Sequence, residues 1–380
     1  MKVLTVVGTR PEIIRLSRVI SRLDDEVDHQ LLHTGQNWDP QLSDVFFKEL
    51  DLRPPDHWLN VPVSSLGSVL GGVLAGVEPV LLDERPDAML VLGDTNSCLA
   101  AIMAKRLGVP VFHMEAGNRC YDENVPEETN RRIIDHVADY NICYTEHARR
   151  NLLSEGLPAR RVFVSGSPMA EVLAAYDDRI TGSDVLERLR LTPRSYFLVS
   201  MHREENVDDP ARLEALVRAL NGLAARRGVR VVASTHPRLR KRLAGLAASC
   251  AGEIEFLEPF GFLDYNKLQR HARCVLSDSG TISEESAISS FPAVTIRDAV
   301  ERPEALDSGS IVLAGVNADA IEHCVNLVIN QWESGVRPAV PAEYQVPDCS
   351  VRVSRLIQGL APLHQSWLGL RPKARPGLEN

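Results

Sequence analysis

The sequence predicts an α/β protein built from two Rossmann-like domains that face a cleft. Short apolar, β-rich runs alternate with longer helical stretches along the chain, which implies βαβ units and parallel sheets. The alternation breaks at a polar stretch near residues 174–194 and then starts again. Short polar motifs stand where predicted strands end, the place where doubly wound folds bind ligands. At 380 residues the chain is also longer than one ordinary core supports.

In the first half the β-rich runs lie at 2–7, 28–33, 88–92, 110–114, 140–144 and 162–165. Helical stretches at 12–24, 95–107, 126–138 and 146–155 separate them. Met89-Leu90-Val91-Leu92 is apolar throughout, as a strand buried on both faces should be. The second half repeats the pattern with strands at 196–201, 229–234, 254–257, 273–277, 293–296 and 310–313, and with helices such as 209–226 and 318–333. A last helix is expected at about 351–370, packed back onto the first domain. The expected domains are therefore 1–174, joined by a helix at about 356–370, and 175–355. The tail 371–380 is polar, contains two prolines and reads as a loose, solvated end.

Composition narrows the function classes. Hydrophobic residues make up 44% and charged residues 24%, close to the globular average, so neither a disordered chain nor a fibre is indicated. The net charge of -9 argues against nucleic acid as a partner, because such proteins carry basic patches that release counterions. The seven cysteines are odd in number, scattered and without a C-x-x-C pair, as expected of reduced thiols in a cytoplasmic protein. The N-terminus reads directly as a strand and not as a signal peptide. No run reaches the ~18 apolar residues that a membrane span needs. The stretch 69–82 is apolar, but Gly71, Gly72, Gly76 and Glu78 interrupt it. A soluble, cytoplasmic protein with no membrane partner is the expectation.

Gly8-Thr9-Arg10-Pro11-Glu12 joins a strand to a helix. Gly8 suits a tight bend, Pro11 suits a first helical turn, and exposed amides with Arg10 form an anion site. An ordinary turn with a surface arginine is the plainer alternative. The chain has neither G-x-G-x-x-G here nor G-x-x-x-x-G-K-[ST] anywhere, which disfavours nicotinamide cofactors and ATP hydrolysis. Ser277-Asp278-Ser279-Gly280-Thr281 opens another helix, and its small residues let a diphosphate approach the amides. A simple Asp or Ser cap accounts for the same residues, and both can hold at once. One turn later, Glu285 could accept ribose hydroxyls or complete a capping box.

Asp94 and Glu115 each end a predicted buried strand, and Glu127 and Glu128 open a helix after Pro126. Carboxylates so placed beside a cleft can act as acid or base. His202 and His236, also at strand ends, could bond a phosphate or protonate a leaving group. The segment 258–265 carries three aromatics that could stack on a flat base or fold onto the core.

Taken in order, several of these motifs resemble the signatures of the non-hydrolysing UDP-N-acetylglucosamine 2-epimerase family, over nearly the full length. They are Gly8-Thr-Arg-Pro-Glu12, Gly93-Asp-Thr95, His113-x-Glu-Ala-Gly117, Pro126-Glu-Glu-x-Asn-Arg131, His202-Arg-Glu204, Ser277-Asp-Ser-Gly280 and Glu301-Arg-Pro-Glu304. The resemblance implies a B-type glycosyltransferase-like fold with UDP bound mainly by the second domain. It implies inversion at C2 by elimination and re-addition of UDP through a 2-acetamido-glycal, without metal or other cofactor, in what is commonly a homodimer. By position, it implies that Asp94, Glu115 and Glu127 are catalytic carboxylates and His202 a catalytic histidine. Arg10, His236, Ser279, Gly280, Glu285 and Arg302 match positions that hold UDP, and Phe262 falls near the uracil loop. Arg15, Asn118, Arg131 and Thr281 complete the implied substrate-binding set.

There are departures from the family pattern. Arg15 replaces a usual lysine, keeping charge but changing geometry, and Thr281 replaces a usual glycine. The stretch 34–40 lacks the Gln-His pattern that serves an activating second substrate site. The segment with Asn118, Cys120 and Asp122, together with 258–265, is similar to a subgroup acting on 6-deoxy-L sugars. That similarity implies conversion of UDP-2-acetamido-2,6-dideoxy-L-talose to UDP-N-acetyl-L-fucosamine, for capsule or O-antigen. The rival readings are a UDP-GlcNAc to UDP-ManNAc epimerase, a glycosyltransferase of the same architecture and a non-catalytic UDP-sugar-binding protein.

Overall fold

The structure is a computed structural model and describes residues 1–36, 46–235, 237–243 and 254–369. Its first sheet contains β1 (Lys2–Val7), β2 (Asp28–His33), β3 (His57–Trp58), β4 (Ala88–Leu92), β5 (Val111–Met114), β6 (Tyr140–Cys143) and β7 (Val162–Val164). The strands run in the order β3-β2-β1-β4-β5-β6-β7, all parallel. The second sheet contains β8 (Tyr196–Met201), β9 (Arg230–Thr235), β10 (Ile254–Leu257), β11 (Cys274–Ser277), β12 (Ala293–Thr295) and β13 (Val312–Leu313). Its order is β10-β9-β8-β11-β12-β13, again all parallel. The expected pair of Rossmann-like, B-type glycosyltransferase-like sheets is therefore present. Each order reverses direction at one point, between β1 and β4 and between β8 and β11. Crevices open at such switch points.

Helices cover both faces of each sheet. The helix Arg10–Glu26 buries Ile13, Leu16, Val19, Ile20 and Leu23, a helical stripe that packs in one cluster with Val3, Leu31 and Leu90. The helix Cys349–Leu360 adds Cys349, Val353 and Ile357 to that cluster, so the end of the chain does return to the first sheet. It is shorter than the sequence suggested. The expected helix to residue 370 breaks after Leu360, a turn containing Pro362 intervenes, and a short helix follows at His364–Leu368.

On the other face lies the helix Leu66–Glu84, where the sequence reading saw an interrupted apolar stretch. It buries Val69, Val73, Val77 and Leu81 against Leu4, Val6, Met89 and Val91. It corrects one expectation. At 19 residues it is long and apolar enough to cross a membrane by length and composition alone. The glycines do not end this helix, and at Gly72 and Gly76 the chain at 59–62 packs directly over it. A Cβ at Gly72 would meet Val61 Cγ1 at 2.8 Å, and one at Gly76 would meet Leu59 Cδ1 at 3.2 Å.

In the second domain, Pro210–Arg227 and Ala318–Glu333 cover one face, with Leu216, Leu220, Ile321 and Val325 in their cluster. Cys98, Cys143, Cys274, Cys324 and Cys349 are buried free thiols and Cys120 is half-buried and free, which fits the reduced state expected of them. Cys250 and the tail 371–380 lie outside the described residues.

Candidate active site

The two switch points bring together the turns that carry most of the motifs. On the first sheet, the helix after β1 starts with Thr9 as an N-cap that makes no side-chain cap bond. Glu12 takes its place. Its Oε2 accepts the Gly8 N–H at 3.0 Å and the Thr9 hydroxyl at 2.8 Å, while Oε1 accepts the Thr95 hydroxyl at 2.8 Å. One buried carboxylate thus ties the turn after β1 to the turn after β4. A Cβ at Gly8 would collide with Ser97 Oγ and Thr34 Oγ1, so the bend requires glycine. Arg10 lies 5.5 Å from the Phe46 ring.

Burial raises the Glu12 carboxyl from 4.5 to about 7, against four hydrogen bonds that lower it. The folded value exceeds the unfolded one, so the stability tied to this proton is present at low pH and is lost as pH rises from about 4.5 to about 7. Glu12→Gln, which keeps the shape without the charge, is expected to raise stability at pH 8 by up to ~3 kcal/mol and to flatten this part of the pH profile. Thermal unfolding from pH 5 to 8 checks this; a variant that tracks the parent at every pH would contradict it.

Asp94 follows Gly93, which sits at φ +74°. Its Oδ2 accepts from Arg131 Nε at 2.8 Å and its backbone carbonyl accepts from Asn130 Nδ2 at 2.9 Å. Arg131 also donates to Glu128 at 2.9 Å, so this arginine is engaged with two carboxylates and holds Asp94 in place. Glu115 ends β5 at φ +64°, a backbone conformation that costs a non-glycine residue energy and occurs where surrounding contacts impose it. Its Oε1 accepts from Arg302 at 2.7 Å, and its Oε2 accepts from Arg15. Asn118 Nδ2 approaches Glu115 Oε1 at 3.5 Å. Glu127 lies 3.9 Å from Arg203, a residue of the second domain.

On the second sheet, Asp278 is fully buried at the end of β11. It accepts the backbone N–H groups of His202 and Arg203 at 3.0 and 3.1 Å and Asn206 Nδ2 at 3.1 Å, and it lies 2.9 Å from His202 Nδ1. Burial alone would raise this carboxyl, but His202 and the surrounding donors more than offset it and hold it below the usual range. The carboxylate calls for a hydrogen on His202 Nδ1 and leaves Nε2 for chemistry, on a side chain 43% exposed.

Ser279 Oγ and Thr281 Oγ1 pair at 2.9 Å, and Thr281 begins the helix Ile282–Ser289 without a side-chain cap bond. Backbone amides there can meet an anion. A Cβ at Gly280 would collide with Glu301, a buried carboxylate held by Arg203 and Arg297. Glu285, which burial raises above the usual range, accepts from Gln269 Nε2 at 2.5 Å. Arg302 is 2% exposed and grips Glu284 as well as Glu115, joining the second domain to the first. Arg15 Nε and Arg302 Nε are buried donors that find no acceptor among the described residues.

The structure therefore gathers Arg15, Glu115, Asn118 and Arg302 into one network and Asp94, Arg131 and Glu128 into a second, with His202 and the 279–281 turn on the facing sheet. Phe262 is placed differently from the stacking role envisaged for its loop. Its ring is buried against Tyr176 at 5.8 Å, and its N–H donates to Glu49 at 2.7 Å. It therefore offers no face to a base. His236 lies outside the described residues. Sequence reasoning assigned no role to Glu12, Glu284 or Glu301 and saw Asp278 only as a possible helix cap. All four lie within or beside the quoted motifs, and the available signal was a carboxylate inside a strand-to-helix motif whose other residues were given roles.

The chain matches the sequence model of UDP-N-acetylglucosamine 2-epimerase over residues 21–358. It is 35% identical to UDP-2,3-diacetamido-2,3-dideoxy-D-glucuronate 2-epimerase of Pseudomonas aeruginosa over 326 residues, 84% of this chain and 90% of that one. It is similar to the structure of UDP-N-acetylglucosamine 2-epimerase from Rickettsia bellii, with a TM-score of 0.90 and 44% identity, covering 97% of this chain and 99% of that chain. It is also similar to Methanocaldococcus jannaschii UDP-GlcNAc 2-epimerase in complex with UDP-GlcNAc and UDP, with a TM-score of 0.89, 33% identity and coverage of 94% and 100%.

Proposed function

The chain belongs to the UDP-N-acetylglucosamine 2-epimerase family, and we propose that it converts UDP-2-acetamido-2,6-dideoxy-L-talose to UDP-N-acetyl-L-fucosamine. It is a non-hydrolysing epimerase, an isomerase, and its reaction is of the UDP-GlcNAc 2-epimerase type on a UDP-sugar. The family sets aside the transferase and binding-protein readings.

The C2 proton is not acidic, so departure of UDP leads. The C1–O bond breaks and its electron pair leaves with UDP. The C2 proton passes to a carboxylate, and a C1=C2 double bond forms. Re-addition reverses these events with the proton delivered to the opposite face. We assign the proton transfers and the stabilisation of the cation-like sugar to Asp94, Glu115 and Glu127. His202, oriented by Asp278, and the donors Arg10, Arg15 and Arg302 with the amides of Ile282–Ser289 stabilise charge on the leaving diphosphate. Gly280 and Thr281 shape that diphosphate turn, Glu285 faces the ribose, and Asn118 and Arg131 border the sugar. The observation that carries this reading is the 2.7 Å contact of Glu115 with Arg302, which puts a candidate base and a candidate phosphate ligand from opposite domains side by side.

The choice of sugar rests on the loop 118–125 and the segment 258–265, which resemble the subgroup acting on 6-deoxy-L sugars. That loop adjoins the carboxylates, since Cys120 N–H donates to Glu128 at 3.2 Å and Asn118 reaches towards Glu115. The product would serve capsule or O-antigen synthesis. Conversion of UDP-GlcNAc to UDP-ManNAc is the second reading, favoured by the names of the similar structures. Names do not fix the sugar at this distance, because a 35% identical relative is named for a diacetamido-glucuronate. Comparing kcat/KM on the two UDP-sugars tests the choice. A higher value on the 6-deoxy-L-talo substrate is expected; activity on UDP-GlcNAc alone would overturn it. A homodimer is also proposed, as the resemblance to the family implies. Light scattering should return twice the 42.0 kDa chain mass, and a single-chain mass would refute it.

A further inference from the structure

Two fully buried residues that border no part of the cleft join the turns bearing Asp94 and Glu115. Asp135, on the helix Pro126–Val137, accepts the Gly117 N–H at 3.2 Å on each oxygen and Arg119 Nη1 at 2.7 Å. It lies 2.9 Å from His113 Nδ1. The other ring nitrogen, His113 Nε2, lies 2.8 Å from the Gly93 carbonyl oxygen. A carbonyl only accepts, so Nε2 carries a hydrogen and donates it. Gly93 N–H in turn donates to the Met114 carbonyl at 2.9 Å.

One carboxylate and one imidazole thus brace both turns from beneath. The braced backbone is unusual, because Gly93, Glu115 and Gly117 have φ of +74°, +64° and +85°. The two turns also touch, since a Cβ at Gly93 would sit 3.3 Å from Glu115 Oε2. Positive φ at a residue with a side chain persists only when the surroundings over-determine it. Here the surroundings are the hydrogen bonds to Asp135 and His113. Arg119 closes the network by donating from Nε and Nη2 to Glu155 at 2.7 Å each and from Nη1 to the Asn118 carbonyl at 2.7 Å. The loop leading to Asn118 is therefore held by the same brace.

We propose that Asp135 and His113 are positioning residues that fix the relative placement of Asp94 and Glu115 through the Gly93 and Gly117 backbones. The proposal rests on the assignment of Asp94 and Glu115 to proton transfer. Two carboxylates that serve opposite faces of C2 must hold a common geometry, and a displacement of about 1 Å can cost ~100-fold in rate. Both residues are enclosed, Asp135 at 0% and His113 at 1% exposure, so their loss should misplace the carboxylates without removing a contact to UDP.

The test uses the full-length enzyme with the UDP-sugar that the parent turns over. Asp135→Asn and His113→Leu are compared with His113→Gln, which retains a donor towards Gly93. We expect kcat to fall about 10- to 100-fold in the first two, with KM and UDP affinity within about twofold of the parent. His113→Gln should recover part of the loss. In D2O the division of C2 deuterium between product and recovered substrate should shift, because the two faces are no longer served as before. A purely structural role would lower the folded fraction and leave this division and the His113→Gln to His113→Leu ratio unchanged, which overturns the proposal. Unchanged kcat in folded Asp135→Asn also overturns it. If the parent exchanges no C2 proton with either UDP-sugar, the functional reading fails instead, a separate result.

Discussion

Asp94→Asn and Glu115→Gln are each expected to lower turnover by about 10²- to 10⁴-fold, the range of a lost acid or base, while UDP affinity stays within about tenfold. Both replacements keep size and one acceptor oxygen. The new amide at position 94 could still accept from Arg131 Nε, and the one at position 115 could still meet one of the two arginines there. What disappears is the capacity to take a proton and the negative charge beside a cation-like sugar. The amides of Ile282–Ser289 and the Glu285 carboxylate belong to the other domain and are untouched. Loss of UDP binding in both variants would count against the division of roles, because it would make these carboxylates part of the nucleotide site.

Arg302→Ala should produce the largest loss of nucleotide affinity, about tenfold or more, together with a marked fall in stability. The side chain is almost completely enclosed between Glu284 and Glu115, and its Nε has no acceptor among the described residues. Removing one partner of a buried ion pair strands the other charge, which costs about 3–5 kcal/mol. Here the stranded group is Glu284, which is fully buried. Arg302→Lys keeps the charge but loses the two-pronged donor geometry, so it should fall between the parent and the alanine variant. Titration calorimetry with UDP and thermal unfolding with and without UDP read the two effects separately. Unchanged UDP affinity in Arg302→Ala would refute the assignment.

Much of the architecture was legible because buried parallel strands are written as continuous apolar runs. The mainly apolar runs at 2–7, 88–92 and 196–201 coincide with β1, β4 and β8, and the more polar runs at 28–33 and 254–257 coincide with β2 and β10. The edge strand β3 escaped notice because His57 and Trp58 are too few to show any period. The helix Leu66–Glu84 looked broken because helical glycines usually weaken a helix; the close approach of Leu59 and Val61 explains Gly76 and Gly72, while nothing in the structure explains Gly71. The local motifs located the turns of the site. They could not reveal the pairing of Glu115 with Arg302, 187 residues apart, or that Arg131 is held between Asp94 and Glu128. Such pairs depend on how two sheets meet and leave no period in the sequence. Phe262 shows the same limit from the other side, since an aromatic in a loop reads alike whether it faces a base or, as here, packs against Tyr176.

The central claim is that C2 is inverted through elimination of UDP. The most direct measurement follows the reaction in D2O by proton and phosphorus NMR, using UDP-2-acetamido-2,6-dideoxy-L-talose labelled with ¹⁸O in the sugar–phosphate bridge. The account predicts an L-fuco product carrying deuterium at C2, and movement of the label from the bridging to the non-bridging positions of the β-phosphate in recovered substrate. Deuterium at C2 with the label still in the bridge, in product and recovered substrate alike, would count against cleavage of the C1–O bond, and inversion with neither change would exclude proton exchange at C2. Either result would contradict the mechanism.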